Sequence, residues 1–196
     1  MTGIVLAGGE NRRMGRDKAF LEFRGRPLVD RAINVLKGIC SAVVVVTNSP
    51  EGYAPYGVTV VPDAFAIRGP LTGIYTGMMA SDDEYHIVVA CDMPFLHAGL
   101  LAFMVREAGG YDAAVPRIGE LLEPLHAVYH RRLLPDIEAL LQKDQRRIQE
   151  LFEGKNVRFI TENEIDRYDP LHRSFINLNT PQEYQEALCS DWECRN

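Results

Sequence analysis

The residues of this chain with the most evident chemistry lie between Leu6 and Lys18. They follow a short apolar stretch, and they include three glycines and four basic residues: Gly8, Gly9, Gly15, Arg12, Arg13, Arg16 and Lys18. Glycine lets the backbone bend where side chains would clash. Backbone N–H groups exposed in such a turn bind phosphate oxygens, and nearby Arg and Lys side chains add positive charge. The pattern predicts a phosphate-binding loop that follows the first strand of a sheet.

The spacing of these glycines excludes two common nucleotide-binding loops. A Walker A loop places Lys and then Ser or Thr after its second glycine, whereas Arg16 follows Gly15. The dinucleotide fingerprint G-x-G-x-x-G separates its first two glycines by one residue, whereas Gly8 and Gly9 are adjacent. The alternative left open is a glycine turn that only closes a strand, with arginines that are solvated.

Further polar residues follow predicted strands, at Thr47-Asn48, Asp63 and Asp92. Ligands of an open parallel sheet bind beyond the carboxyl ends of its strands. We expect Asp92 to be a metal ligand, because a carboxylate placed directly after a buried strand is rigidly held. Mg²⁺ typically takes one or two carboxylates together with substrate phosphates and water. The alternatives are that Asp92 caps the next helix and that Asp63 bonds its own backbone in a turn.

The opening run, L-A-G-G-x-x-x-R-M-G-x-D-K, resembles the signature loop of the nucleotidyltransferases. Among these it most resembles the molybdenum cofactor guanylyltransferases. Later segments agree with that family: CDMPFL at 91–96, GPLTG at 69–73, PLHAVY at 124–129 and FINLNTP at 175–181. The resemblance therefore extends over nearly the whole chain, from Leu6 to Pro181.

The resemblance implies that GMP is transferred from GTP to the terminal phosphate of molybdopterin or the molybdenum cofactor, with release of pyrophosphate. It implies Mg²⁺ as cofactor, Asp92 as its ligand, and Arg13, Lys18 and Asp92 as catalytic residues. The implied nucleotide contacts are Leu6, Ala7, Gly8, Gly9, Lys18, Thr47, Asn48, Asp63, Gly69, Pro70, Leu71 and Asp92. Which of Thr47 and Asn48 contacts the nucleotide stays open.

The acceptor is assigned to His126, Asn177 and Asn179, and His126 receives no catalytic role. The two asparagines are expected on one face of a strand, where they would present amides to a pterin or a phosphate. The alternative is that they are incidental and that Thr180 caps a helix beginning at Pro181. Molybdoenzyme apoproteins and other cofactor-biosynthesis proteins are the expected further partners.

Two alternative functions remain at this point. One is a cytidylyltransferase or sugar-phosphate nucleotidyltransferase of the same fold. Gly8-Gly9 favours guanine, because the related molybdopterin cytidylyltransferases usually show L-A-A-G. The other is a nucleotide-binding protein without catalysis. Its expected sequence would lack Lys18 or Asp92, and both are present.

Strands and helices alternate along the chain, which is typical of an α/β, Rossmann-like, doubly wound and mostly parallel sheet. Strands are predicted at Ile4–Leu6, Ala42–Thr47, Val58–Val61, His86–Cys91, Asp112–Pro116, Leu125–His130, Val157–Thr161 and Ser174–Leu178. Helices are predicted at Leu28–Ile39, Leu71–Ala80, Ala98–Ala108, Leu133–Gln142, Arg146–Phe152 and Pro181–Leu188. We expect one domain over 1–188, with the nucleotide on the first half and the acceptor on the second, and a mobile tail at 189–196.

Composition narrows the class of partner. The chain has 196 residues and a net charge of −6, which argues against broad binding to nucleic acid or to anionic membranes. The basic loop is a local patch on an acidic protein, and a small phosphate-rich ligand suits that contrast. No apolar run is long enough for a membrane span, no export signal is recognised, and the four cysteines form no C-x-x-C pair. A cytoplasmic protein with reduced thiols is expected.

Overall fold

A mixed, mostly parallel β-sheet forms the centre of the computed structural model, which describes residues 1–8, 18–67 and 69–189. The strands are β1 (Thr2–Leu6), β2 (Glu22–Phe23), β3 (Arg26–Pro27), β4 (Ala42–Val46), β5 (Thr59–Val61), β6 (Tyr85–Ala90), β7 (Ala113–Ile118), β8 (Leu121–Leu122), β9 (His126–His130) and β10 (Val157–Ile160). The main sheet has the order β10-β7-β9-β6-β1-β4-β5, with β8 paired to β7, while β2 and β3 form a separate hairpin. The arrangement confirms the predicted fold class.

The helices alternate with these strands. They are α1 (Leu28–Lys37), α2 (Pro70–Met79), α3 (Ala98–Glu107), α4 (Leu134–Gln142), α5 (Glu162–Ile165) and α6 (Pro181–Cys189). Short 3-10 helices occupy Lys18–Phe20, Ala54–Tyr56, Arg131–Leu133, Ile148–Phe152 and Arg173–Phe175. None of the helices in the described ranges has the length and apolar character needed to cross a bilayer.

Besides the short β8, which is antiparallel to β7, one strand of the main sheet runs against its neighbours. The pairs of β1 with β4, β1 with β6, β4 with β5 and β7 with β10 are parallel, whereas β9 is antiparallel to both β6 and β7. The chain between Ile118 and His126 explains the reversal. A parallel return needs a crossover of a dozen or more residues, and this connection is too short for one.

Alternate residues of the central strands supply two apolar layers, one on each face of the sheet. Val5 on β1 packs with α1 and α3, while Ile4 and Leu6 pack with α2 and α4. The strands are rich in valine and isoleucine because both of their faces are covered. The first turn of α2, which begins at Pro70, is thereby held beside the carboxyl end of β1.

Two glycines allow α2 to approach β1 closely. A Cβ atom added at Gly73 would lie 2.9 Å from Leu6 Cδ2, and one added at Gly77 would lie 2.4 Å from Ile4 Cγ2. Real Cβ atoms do not make contacts that short, so any side chain at these positions would push the helix from the sheet. The spacing of four residues places both glycines on one face of the helix.

A third apolar cluster joins the two ends of the chain. Phe23 of β2 packs against Phe95 with ring centroids 5.6 Å apart, and Leu178 and Ala187 belong to the same cluster. Tyr184 of α6 donates a hydrogen bond to the Glu22 carbonyl. These contacts place α6 beside the segment that begins at Lys18.

The second half of the chain corrects several predictions. The strand predicted at Ser174–Leu178 is wrong, because Arg173–Phe175 forms a 3-10 helix and the following residues are irregular. The Asp169 carboxylate accepts the backbone N–H groups of Arg173 and Ser174 at 3.0 and 2.7 Å, so these groups do not pair with a neighbouring strand. The helix predicted at Arg146–Phe152 is a shorter 3-10 helix, and β2, β3, β8 and α5 were not predicted. Cys189, assigned to the tail, is the last residue of α6, and 190–196 lie outside the described residues.

Candidate active site

The parallel strands bring four loops to one edge of the sheet. Leu6 is in register with Val46 and with Ala90, and Val46 is in register with Val61. The residues that follow these strand ends are Gly8, Asn48, Asp63 and Asp92. The sheet therefore places the polar residues singled out from the sequence along one edge, although they lie far apart in the chain.

Lys18 is the centre of the closest group of these residues. Its Nζ donates hydrogen bonds to Asp92 Oδ2 at 2.5 Å and to Asn179 Oδ1 at 3.0 Å. The lysine is only 8% exposed, so its charge is neutralised by Asp92 within a partly enclosed site. Two segments that lie 74 and 161 residues from Lys18 in the chain thus meet at its ammonium group.

The second oxygen of Asp92 is in a different position. Oδ1 is buried and has no hydrogen-bond partner among the described residues. A buried carboxylate oxygen without a partner is costly, and a divalent cation is a chemically suitable partner for it. The described residues contain no group of three or more His, Cys, Asp and Glu side chains that could hold a metal alone. A cation held here through Asp92 would need ligands beyond the described His, Cys, Asp and Glu side chains.

Asn48 and Asp63 form a second group on the same edge. Asn48 Nδ2 donates to Asp63 Oδ2 at 2.8 Å, and the Asp63 backbone N–H donates to Asn48 Oδ1 at 3.0 Å. Thr47 is buried, and its hydroxyl oxygen accepts the Ser49 N–H at 3.1 Å. Of the two residues left open by the sequence, Asn48 is the one exposed at the sheet edge. The Asp63 carboxylate is thus held by the Asn48 side chain.

Other predicted nucleotide contacts are less accessible. Leu6, Ala7 and Leu71 are at least nine-tenths buried, and the Ala7 N–H is already donated to Val46 O at 2.9 Å. Gly69 and Pro70 are exposed at the start of α2, where Gly69 has a φ of 154°. That backbone angle favours glycine. Of these residues, Gly69 and Pro70 are the ones that a ligand can reach from solvent.

His126 lies in the core, not at the surface where an acceptor would bind. Its ring is fully buried, packs 4.9 Å from the Phe175 ring, and has no hydrogen-bond partner for either nitrogen among the described residues. Burial lowers the pKa of His126 to about 4, so the ring is neutral at neutral pH. A packing role follows from this environment.

The two asparagines do not share a strand face, because no strand forms there. Asn177 Nδ2 donates to the Phe175 carbonyl at 3.2 Å, which is a local turn contact. Asn179 alone reaches the Lys18 ammonium. The expected helix cap is present, since the Glu183 N–H donates to Thr180 Oγ1 at 3.1 Å.

Two residues with predicted roles, Gly9 and Arg13, lie outside the described residues, as do Arg12, Gly15 and Arg16.

One residue beside the site, Glu183, was not predicted from the sequence. Glu183 Oε2 accepts the backbone N–H groups of Asn179 and Thr180 at 2.6 and 2.9 Å. The pattern T-x-x-E at 180–183, which is typical of a capping box, was the available signal.

Comparisons with known proteins agree on a family. A family model described as "MobA-like NTP transferase domain" matches residues 3–159. A protein from Desulfosudis oleivorans named molybdenum cofactor guanylyltransferase is 38% identical over 189 residues, which cover 95% of this chain and 94% of that protein.

Solved structures resemble the fold. The molybdopterin-guanine dinucleotide biosynthesis protein A of Archaeoglobus fulgidus has a TM-score of 0.82 at 25% identity, with 95% of this chain and 96% of that chain covered. The 2-C-methyl-D-erythritol 4-phosphate cytidylyltransferase of Thermus thermophilus has a TM-score of 0.67 at 16% identity, with 94% and 96% covered. The second likeness concerns the fold alone.

Proposed function

The chain belongs to the family of MobA-like NTP transferase domains, and on that premise we propose that it transfers GMP from GTP to the terminal phosphate of molybdopterin or the molybdenum cofactor. Pyrophosphate is released and the guanine dinucleotide form of the cofactor is made. The observation that carries the proposal is the meeting of Lys18, Asp92 and Asn179 at the carboxyl edge of β1 and β6.

The reaction requires alignment and charge neutralisation. The acceptor phosphate is already anionic at neutral pH, so it attacks the α-phosphorus of GTP without a general base. A new P–O bond forms at that phosphorus, and the bond to the bridging oxygen of the β-phosphate breaks, so pyrophosphate leaves with the electron pair. The proposal needs no catalytic histidine, which suits the buried, neutral ring of His126.

Lys18 is proposed to balance the charge of the triphosphate and of the departing pyrophosphate. A fixed cation in a partly enclosed site stabilises developing negative charge more than a solvated one does. Asp92 holds one side of the ammonium group and Asn179 the other, so the lysine is oriented before substrate binds. Arg13 is proposed to add a second positive charge.

Mg²⁺ is proposed as the cofactor, with Asp92 as its protein ligand. The buried Oδ1 atom of Asp92, which has no hydrogen-bond partner among the described residues, supports this assignment. The cation would neutralise phosphate charge when bound. Lys18 keeps the other carboxylate oxygen in place, so the carboxylate is held by the protein as well as by any ion.

The nucleotide is proposed to lie along the sheet edge, with Gly8 and Gly9 donating backbone N–H groups. Asn48 is exposed and Asp63 half-buried at the same edge, and Gly69-Pro70 opens α2 beside it. We also propose that the protein acts in the cytoplasm, because GTP is available there and Cys40 and Cys189 are free thiols. Molybdoenzyme apoproteins would receive the product.

The test is an assay of the purified protein with Mg²⁺, molybdopterin and either GTP or CTP. We expect pyrophosphate release with GTP and a dinucleotide product that contains guanine, detected by mass spectrometry. Faster turnover of CTP would identify a cytidylyltransferase instead. Binding of GTP without pyrophosphate release, with molybdopterin and with sugar phosphates alike, would identify a nucleotide-binding protein without catalysis.

A further inference from the structure

We propose that Glu183 is a positioning residue, which holds Asn179 against Lys18 and so fixes the ammonium group of the active site. The inference rests on the proposed function of Lys18. It concerns a carboxylate in the first turn of α6 that does not itself contact Lys18 through a hydrogen bond in the described structure.

The first step is the contact between Glu183 and the backbone of Asn179. A single oxygen of Glu183, Oε2, accepts the N–H of Asn179 at 2.6 Å and the N–H of Thr180 at 2.9 Å. In return, the Glu183 N–H donates to Thr180 Oγ1 at 3.1 Å. An ordinary capping box fixes the N-cap residue. Here the same carboxylate also fixes the residue before it, which is Asn179.

The second step is the contact between Asn179 and Lys18. Asn179 Oδ1 accepts from Lys18 Nζ at 3.0 Å, and the neighbouring Leu178 N–H donates to the Asp92 carbonyl at 3.0 Å. Lysine is a flexible side chain with three donors on its ammonium group. Without Asn179, Asp92 alone would restrain it among the described residues. The backbone at 178–180 therefore helps to fix the position of the Lys18 ammonium group.

The charge of Glu183 suits this role. The hydrogen bonds from Asn179 and Thr180 lower the pKa of the Glu183 carboxyl, and the positive charge of Lys18 acts in the same direction. The carboxylate stays ionised through the neutral range and accepts both N–H groups there.

The residues that orient Lys18 lie far from it in the chain. Lys18 and Asp92 fall within residues 3–159, the segment that the family model matches, whereas Asn179 and Glu183 follow that segment.

The test compares four variants in steady-state kinetics with GTP. Glu183→Ala removes both contacts to the 179–180 backbone, and we expect kcat to fall about tenfold with the KM for GTP changed less than about twofold, because misplaced catalytic groups mainly affect the transition state. Glu183→Gln keeps an oxygen that accepts the same N–H groups, so its kcat should lie within about threefold of that of the unmodified protein.

Two controls separate positioning from helix capping. Thr180→Ala removes the Thr180 Oγ1 cap but leaves the Asn179 N–H bound to Glu183, so kcat should stay within about twofold of the unmodified protein. Glu186→Ala changes another exposed carboxylate of α6 and should have no effect. An equal loss of kcat in Thr180→Ala and Glu183→Ala would overturn the proposal.

A second readout does not depend on turnover. Lys18 is 8% exposed, and we expect its acetylation by a soluble ester, measured by mass spectrometry relative to exposed Lys143, to rise severalfold in Glu183→Ala. Unchanged Lys18 reactivity would overturn the proposal. If Glu183→Ala does not fold, Glu183→Asp serves instead, because it keeps the charge but shortens the reach to Asn179.

The two measurements distinguish failure of the positioning role of Glu183 from failure of the proposed function. If the unmodified protein transfers no guanylyl group, the function is wrong, and the acetylation measurement still decides whether Glu183 positions Lys18. If the unmodified protein is active and Glu183→Ala matches it in kcat and in Lys18 reactivity, only the positioning role is wrong.

Discussion

Lys18 and Asp92 form an ion pair at 2.5 Å, and each is given a different task in the proposed reaction. We expect Lys18→Ala and Asp92→Ala each to lower turnover on the order of a hundredfold, because each removes a preorganised group that stabilises transition-state charge. Pyrophosphate release at saturating GTP and Mg²⁺ measures the effect, and far-UV circular dichroism checks the fold. Lys143→Ala is the matched control. Near-normal turnover in either site variant would refute the role given to that residue.

The burial of His126 leads to a prediction about stability and not about catalysis. Burial lowers its pKa to about 4 in the folded protein, opposed by the nearby charge of Asp169, while an unfolded histidine has its ordinary pKa of 6.5. Between these values the unfolded chain binds more protons than the folded one. Stability is therefore full above pH 6.5 and is lost as the pH falls toward 4.

The measurement is urea unfolding at pH 7.5 and pH 5.0. His126 should account for about 2 kcal/mol of the stability lost between these two values, from the linkage of the two pKa values. In His126→Leu, which fills a similar volume without titrating, the loss should be smaller by that amount. His86, whose pKa burial also lowers to about 4, adds acid sensitivity of its own, which is unchanged in the variant. An identical pH dependence in the two proteins would contradict the assignment.

At the scale of single residues, residue types and their spacing predicted much of the candidate site. Lys18, Asp92 and Asn179 were singled out from the sequence, and the structure brings them together. The ligand contacts predicted for His126 and Leu71 stay predictions, but the structure buries both side chains. A motif gives the residue type and not the face of the sheet or helix that the residue occupies. Glu183 was missed because a carboxylate in the first turn of a helix is usually interpreted as a cap alone.

At the scale of elements, the contact between α2 and β1 depends on glycine. Gly77→Ala would place a Cβ atom 2.4 Å from Ile4 Cγ2, against a side chain that is fully buried. Overpacking costs about 1–3 kcal/mol, and the better helix propensity of alanine returns up to about 1 kcal/mol. We expect the free energy of unfolding to fall by about 1–2 kcal/mol, measured in urea.

The matched control is Gly109→Ala, where an added Cβ would meet only the Arg106 carbonyl oxygen at 3.8 Å. That variant should change the free energy of unfolding by less than about 0.5 kcal/mol. If Gly77→Ala is as stable as Gly109→Ala, the close approach of α2 to β1 is not required by the fold.

The elements of the first half were predictable because each one is amphipathic or fully apolar and ends at a glycine, a proline or a polar turn. The strands β1, β4, β5 and β6 and the helices α1, α2 and α3 lie within a few residues of their predicted positions. The second half was harder. A strand was predicted at Ser174–Leu178, but the Asp169 carboxylate accepts the backbone N–H groups of Arg173 and Ser174 instead.

At the scale of the whole molecule, the site depends on both ends of the described chain. β1 and β6 place Asp92, and α6 is fastened to the β2–β3 hairpin by Phe23, Leu178 and Ala187. The same packing carries Asn179 to Lys18. Local sequence patterns do not reveal this closure, since it joins segments more than 150 residues apart. We therefore expect ligand binding to stabilise the molecule as one unit.

Binding of GTP with Mg²⁺ should raise the thermal midpoint of the protein by about 5–10 °C at a ligand concentration of about 100 Kd. That concentration contributes about 2.7 kcal/mol to the folded state, and about 1 kcal/mol moves the midpoint of a chain of this size by about 2–4 °C. CTP at the same concentration should give less than about half the shift, if guanine is preferred. An equal shift with CTP would contradict guanine specificity.

The same measurement tests the metal. Chelation of Mg²⁺ should reduce the shift of the thermal midpoint that GTP causes, and Asp92→Asn should make that shift insensitive to the chelator. A GTP shift in the unmodified protein that the chelator leaves unchanged would contradict the metal role of Asp92.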